Sequence, residues 1–462
     1  MTRTEQFAEY ASRAGRRRGL TLLPLCIAVL VAQVDTAVVN LATRAIGDYF
    51  HAGVDALQWV VDSYNLSYAV LLLTGGLLAD LHGRRRIFIA GTALFTVASL
   101  LCALAPSVSV LIAARALAGV GAALLLPASL AIVRVVWRDP VERGRALGIW
   151  AACNGAAMAI GPTLGGVLIR HFGWRSIFFV VVPLSIAAML LAIPAVPESS
   201  DPRGRHFDGG AQVTGALALG ALAYSAIVFR DSPAACALAS CVAIVSFVVF
   251  TSIERRHGAA ALVPLDLFRI GTFRGAIAAT AGMTFGMYGV LFLLPLTWQS
   301  IGRLDSIGAG LALLPMALAF VVVSPCSGPL SERVGTRTTT AGGVAVIASG
   351  LAAIGASAGS SSLLGTEIGL ALTGLGMGIA TGPLMTVAVG AVEAARSGTA
   401  SALVNVARMA GATLGIAVLG TLFAAAHGGA TGLRAAMFAG AAVQLTGAAV
   451  AAVSVQRARQ AA

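Results

Sequence analysis

The sequence predicts an all-α polytopic membrane protein of two six-helix bundles plus two inserted helices, fourteen transmembrane helices in all. Three observations carry this. Of 462 residues, 58% are hydrophobic and only 11% charged, against about 25% charged in soluble domains. A short polar turn occurs twice: Gly76 to Arg86 reads GLLADLHGRRR, and a worn copy, GPLSERVGTR, spans Gly328 to Arg337 about 250 residues later. In both, an acid (Asp80, Glu332) stands three residues before a glycine (Gly83, Gly335), with Arg84 and Arg85 or Arg337 following. The third observation is that arginines gather on alternate connections, as the positive-inside rule requires of membrane spans.

A span needs about 20 mostly apolar residues, and such segments fall near 20–43, 57–79, 87–105, 108–133, 146–169, 175–196, 209–229, 233–253, 275–298, 308–330, 338–357, 362–392, 399–425 and 434–455. The first follows Arg16 to Arg18, and its apolar run, residues 19–41, is too long for the core of a signal peptide. The first polar turn joins the second and third spans, and its copy joins the tenth and eleventh. Arg134, Arg138, Arg143 and Arg145 separate the fourth from the fifth. The pair at 209–253 lies between polar linkers, outside the repeat, and reads as an insert. The expected organisation is therefore an N-terminal bundle at 1–196, a linker and two-helix insert at 197–270, and a C-terminal bundle at 271–462.

With the N-terminus on the cytoplasmic side, 23 arginines fall inside and six outside (Arg44, Arg170, Arg175, Arg230, Arg303 and Arg434). An even number of spans then puts both termini in the cytoplasm. The net charge of +12 is a topology signal here, not a nucleic-acid footprint. Lysine is absent, which excludes the phosphate loop whose lysine reaches nucleotide phosphates. The six cysteines form no CxxC pair and the histidines have no metal-ligand spacing, so the expectation is no metal and no cofactor. No catalytic dyad or soluble domain is visible, which argues against an enzyme or a sensor.

Few ionisable residues lie within spans: Asp35, Asp62, Arg115, Arg408 and, near a span end, Glu367. Each costs roughly 2.5 to 3.5 kcal/mol at the bilayer centre on insertion scales, so an unrewarded charge is not expected. The plainer alternative for Arg115 and Arg408 is an ion pair that fixes helix packing. A carboxyl group in low dielectric takes up a proton more readily, so Asp35, about 23 Å into its helix at 1.5 Å per residue, is the expected proton-coupling site. Asp62, a turn or two from the outer end of its helix, is expected to be reached by water and to stay ionised. In the fifth span, NGAAMAIGPTLGG (Asn154 to Gly166) combines a kinking proline, Pro162, with Gly161, Gly165 and Gly166, which allow close helix approach. Such a helix suits sealing or rocking. Glycines four apart recur at Gly374, Gly378 and Gly382 and at Gly411 and Gly415.

These motifs carry a resemblance. GLLADLHGRRR resembles the loop between the second and third spans of the major facilitator superfamily, LIAARALAGVGAA (Leu111 to Ala123) its fourth-span arginine motif, and IGPTLGG its antiporter motif. With the insert, DTAVVNLA (Asp35 to Ala42), WVVDSY (Trp59 to Tyr64), FGWRSIFFVVVP (Phe172 to Pro183) and GTASALVNVARMAGATLGIAVLG (Gly398 to Gly420), the chain is similar to the fourteen-span drug:proton antiporter branch, of the actinobacterial methylenomycin-resistance type. It departs from that pattern at Thr36 and Ala37, at Thr43 and Arg44, and at Ala118, which bears on substrate contacts.

The resemblance implies a proton-coupled exporter of drugs, antibiotics or other small hydrophobic or cationic molecules, a monomer in the inner (plasma) membrane, with protons and the lipid bilayer as its other partners and no nucleic acid. It implies that Asp35, Arg115 and Asp62 serve proton coupling or substrate response. Gly76, Asp80, Gly83, Arg84 and Arg85, with Glu332, Gly335 and Arg337, would form the cytoplasmic gate. Gly161, Pro162, Gly165 and Gly166 would control closure. Cavity candidates are Asn154, Phe285, Met287, Tyr288, Trp298, Asn405 and Arg408, each of which could instead be a packing or lipid-facing residue. The alternative on the same fold is an importer or facilitator of a small metabolite. The topology is tested by reporter fusions after Arg205 and after Arg256: both should report cytoplasm, and opposite sides would remove the insert.

Overall fold

The computed structural model describes residues 3–137, 139–200, 208–229, 232–258, 261, 263–393 and 396–455, with side chains from residue 19 onward except those of Pro140, Asn154 and Met158. Among the described residues, 14 helices are long and apolar enough to cross a membrane: α1 Gly19–Phe50, α2 Val54–His82, α3 Arg84–Ala103, α4 Val108–Val136, α5 Val141–Phe172, α6 Ser176–Ala195, α7 Gly209–Val228, α8 Pro233–His257, α9 Gly271–Ser300, α10 Ser306–Val334, α11 Thr336–Ser357, α12 Leu364–Gly390, α13 Ser397–Ala425 and α14 Gly429–Ser454. Several run a turn beyond their apolar stretch, because the backbone hydrogen-bond ladder continues where hydropathy has already fallen. Helix is the expected solution, since each backbone polar group must find its partner within its own segment in hydrocarbon.

Helices α1 to α6 pack on one another, as do α9 to α14. Within the second set, glycines four apart let backbones touch: a side chain on Gly374 would meet the Met316 backbone of α10, and one on Gly411 the Ala281 carbonyl of α9. The two polar turns share a backbone conformation as well as a sequence, with Gly83 at φ 106°, ψ 126° and Gly335 at φ 89°, ψ 144°. Both lie where only glycine is comfortable. The turns therefore break two helix pairs in the same way.

Helix α7 packs against both sets, over the junction of α2 and α13, and α8 packs on α7. From α7, Gln212 donates to the Val70 carbonyl at 2.6 Å and pairs with Thr74 on α2. Thr421 on α13 donates to the Ala226 carbonyl at 2.9 Å, and Trp59 lies beside Tyr224 with ring centroids 6.2 Å apart.

The two bundles close on each other in the half away from the arginine-rich turns. There Gln58 of α2 donates from one amide nitrogen to the Ile416 and Ala417 carbonyls of α13, each at 2.9 Å. Gln299 of α9 donates to the Leu41 carbonyl of α1 at 3.1 Å, and Arg170 at the end of α5 pairs with Asp305 at the start of α10. The α5 and α10 backbones meet directly: a Cβ on Gly166 would lie 2.9 Å from the Ile307 Cα, and one on Gly310 would lie 2.9 Å from the Pro162 carbonyl carbon. Gly161, in contrast, faces Ala37 and Gly165 faces Val38, both on α1 of their own bundle. Within the antiporter motif, the contact that closes the seam belongs to Gly166 and Pro162, while Gly161 and Gly165 seat the helix.

This division is testable. Gly166→Val requires room occupied by the α10 backbone, so spin labels on the ends of α5 and α10 at the closed seam should move apart while membrane expression stays near wild type. Gly161→Leu should leave that distance alone and lower thermal stability through overpacking, by roughly 1 to 3 kcal/mol. Unchanged label distances in Gly166→Val would refute the assignment.

Candidate functional site

Between the bundles lies a cavity of about 1230 Å³. Its mouth carries Asp80, Arg84, Arg134 and Arg396, at helix ends on the arginine-rich side, and its depth is marked by Gln33, Tyr68, Asn405 and Arg408. The walls between them are mixed: Leu72, Leu126, Leu130, Phe320 and Met385 stand beside the hydroxyls of Ser324, Thr381, Thr399 and Ser401. A cavity open on one face and a seam closed on the other make one end state of alternating access.

Asn405 and Arg408 line the cavity, whereas four other candidates do not. Met287, Tyr288 and Trp298 are 4%, 8% and 2% exposed and belong to the core of the C-terminal bundle, with Phe285 packed against it. The reason is the place of α9, which α12, α13 and α14 cover from several sides, so residue type alone says little about which position faces the cavity. The side chain of Asn154 lies outside the described ones.

Beyond the end of the cavity, toward the closed seam, lies a dry layer of charge. Asp35 on α1 accepts from the Arg115 guanidinium on α4 at 2.5 Å, with both side chains 1% exposed. Arg115 also donates through Nε to the Val60 carbonyl at 3.2 Å and stacks 4.5 Å over the Tyr64 ring. Backbone carbonyl, carboxylate and aromatic face together offset the cost of burying a guanidinium.

Asp62 departs from expectation. It is fully buried, and among the described residues neither carboxyl oxygen has a hydrogen-bond partner. One turn nearer the closed seam, Gln58, four residues earlier and so on the same face of α2, is plugged into α13. Other polar groups here are also buried and unpartnered, namely both amide atoms of Asn65, the Ser63 hydroxyl and that of Thr413 on α13.

At the mouth, Asp80 pairs with Arg84 at 2.8 Å, one turn on. Arg85 reaches the last carbonyls of α6, donating to Ile193 and Val196 at 3.3 Å each. Glu198, just past α6, returns the favour: its oxygens accept from the Arg85 and Arg86 backbone amides at 3.1 and 3.2 Å, at the start of α3. A carboxylate at a helix N-terminus and a guanidinium at a C-terminus both satisfy orphan backbone groups and complement the helix dipoles. Glu198 escaped the sequence reading because it lies in the inter-bundle linker. Its signal was an acid immediately after an apolar span. In the second copy of the turn Glu332 is exposed and Arg337 half-buried, and Thr336 stands where Arg84 stands in the first.

Known proteins extend this picture. The chain is 37% identical over 413 residues, 89% of its length and 76% of the relative's, to the multidrug resistance protein Stp of Mycobacterium tuberculosis strain H37Rv. It is 35% identical over 318 residues to the methylenomycin A resistance protein of Bacillus subtilis strain 168, covering 68% of this chain and 67% of that one. Its fold matches that of a bacterial homologue of the human lysosomal transporter Spinster with a TM-score of 0.70 over 95% of this chain and 97% of the other, at 18% identity. The sequence profile of the Major Facilitator Superfamily fits residues 25–416, so the match runs from the first span into the thirteenth, through both bundles and the cavity between them. The chain belongs to the Major Facilitator Superfamily.

Proposed function

We propose that the protein is a proton-coupled antiporter that exports drugs, antibiotics or other small, largely hydrophobic molecules across the cytoplasmic membrane, with the arginine-rich face and both termini in the cytoplasm. The observation that carries the coupling is Asp62, a buried carboxyl group with neither a cation nor a hydrogen-bond donor beside it. An ionised carboxylate without a partner is far costlier to bury than a neutral carboxyl group, so in this inward-open state Asp62 holds the proton. Asp35, already neutralised by Arg115, does not need one. Opening the outer seam withdraws Gln58 from α13 and lets Asp62 take up a proton from outside. Antiport then requires that the proton leave toward the cytoplasmic cavity through a movement of α2 that opens the inner side of the same layer.

Export as the direction of transport is supported by the relatives, named for multidrug and methylenomycin A resistance. The leucines, Phe320 and Met385 of the cavity offer a lipophilic molecule an apolar surface on the side from which it would be exported.

The test is transport in everted vesicles with and without an imposed pH gradient. Asp62→Asn keeps the shape and removes the titratable group, so the protein should accumulate normally and lose pH-driven efflux. Asp35→Asn leaves Arg115 buried without a counter-charge and should cost roughly 3 to 5 kcal/mol of stability. Adding Arg115→Gln should recover much of that. Efflux in Asp62→Asn that still follows the pH gradient would overturn the assignment.

A further inference from the structure

Resting on the export reading above, we infer that the cavity selects acidic amphiphiles: molecules whose carboxylate or acidic phenol pairs with Arg408 while an apolar body lies against the leucine-rich walls. Five charged residues line the cavity, and four of them are arginines. Asp80, the only acid among them, is held by Arg84 at 2.8 Å, and Arg396 is paired with Asp266. Two cations remain, Arg134 at the exposed mouth and Arg408 deep inside.

Arg408 is the twelfth residue of α13, about 17 Å from the mouth end at 1.5 Å per residue. Among the described residues it takes part in no hydrogen bond and no ion pair, and its Nε is buried without a partner. Tyr68, which lines the cavity within electrostatic reach of Arg408, is a neutral phenol that can itself donate to an anion. A guanidinium held partly dry, with no acceptor of its own, is a binding site for an anion. The membrane carboxylates that could favour a cation, Asp35 and Asp62, are absent from the cavity wall and lie in the closed layer, one tied to Arg115. A cation entering the cavity therefore meets a positive charge at its end and no free carboxylate along its walls, contrary to the cationic substrates the motif resemblance implies.

The test uses the full chain in detergent micelles and two dyes of one ring system, fluorescein as the anion and rhodamine 6G as the cation, with binding read by fluorescence anisotropy. Fluorescein should bind at least about tenfold more tightly than rhodamine 6G, the scale of one charge-assisted contact. Arg408→Gln should remove most of that preference by weakening fluorescein alone, and Arg408→Lys should keep much of it. Rhodamine 6G binding as tightly as fluorescein to the wild-type protein would overturn the inference, as would equal fluorescein affinity in wild type and a well-folded Arg408→Gln. If Arg408→Gln does not fold, the wild-type preference and Arg408→Lys decide the matter. The same dyes in proteoliposomes with a pH gradient separate the two readings: Arg408-dependent binding without gradient-driven movement removes antiport and leaves the selectivity standing.

Discussion

The pairing of Asp35 with Arg115 is the interaction on which the rest of the arrangement depends. A guanidinium at this depth is tolerable only with a carboxylate, and the carboxylate that supplies it is drawn from α1, so the pair ties α1 to α4 across the N-terminal bundle. That choice leaves Asp62 as the carboxyl group without a cation. Two acids and one arginine in a dry layer leave one acid over, and the helix rotations decide which. Replacing such a pair with apolar groups is often neutral for stability, whereas breaking it is costly. Its value here lies in fixing which group can change charge.

The spans, the insert and the repeat were legible in the sequence, because hydrocarbon admits a narrow set of solutions and a helix must be about 20 apolar residues long to cross it. Gly83 and Gly335 were legible for the same kind of reason, since the backbone conformation both adopt excludes other residues. The site was legible only in part. Asp35 and Arg115 stand 80 residues apart, and composition cannot say that their helices face each other. Asp62 was misjudged because distance from a helix end measures depth along one helix and not what a neighbour lays over that end. Gln58 and the α13 carbonyls do that, from 358 residues away. The methionine and aromatics of α9 failed as cavity candidates because α9 is covered from several sides, so their chemistry was right and their facing was not.

The two seams between the bundles are built differently. Where α5 meets α10, backbone lies against backbone at Gly166 and Gly310, a contact of small residues whose one ion pair, Arg170 with Asp305, is exposed at its edge and stays in water when the helices part. Where α2 meets α13, the helix α7 lies over the junction and is hydrogen-bonded to each side, through Gln212 to Val70 and from Thr421 to Ala226. Relative motion of α2 and α13 must carry α7 with one bundle or give up one of these bonds, each worth about 0.5 to 1.5 kcal/mol net. The insert thus adds to the cost of parting α2 from α13, the movement that would withdraw Gln58 from the α13 carbonyls.

The layering of charge bears on how coupling is achieved. Asp62 lies behind the closed seam, whereas Arg408 is the cation deep in the open cavity. A proton on the first and an anionic group on the second would not compete for one site, and would attract rather than displace each other if they met. Exchange between them cannot then be direct displacement. It requires that each ligand favour a different one of the two bundle arrangements, because a ligand shifts an equilibrium only by its difference in affinity for the two states. On the proposed coupling, the proton favours the state in which Gln58 seals Asp62 into a dry layer. For strict antiport, the substrate must favour the opposite arrangement, in which Arg408 finds a better-enclosed anion than the open cavity offers.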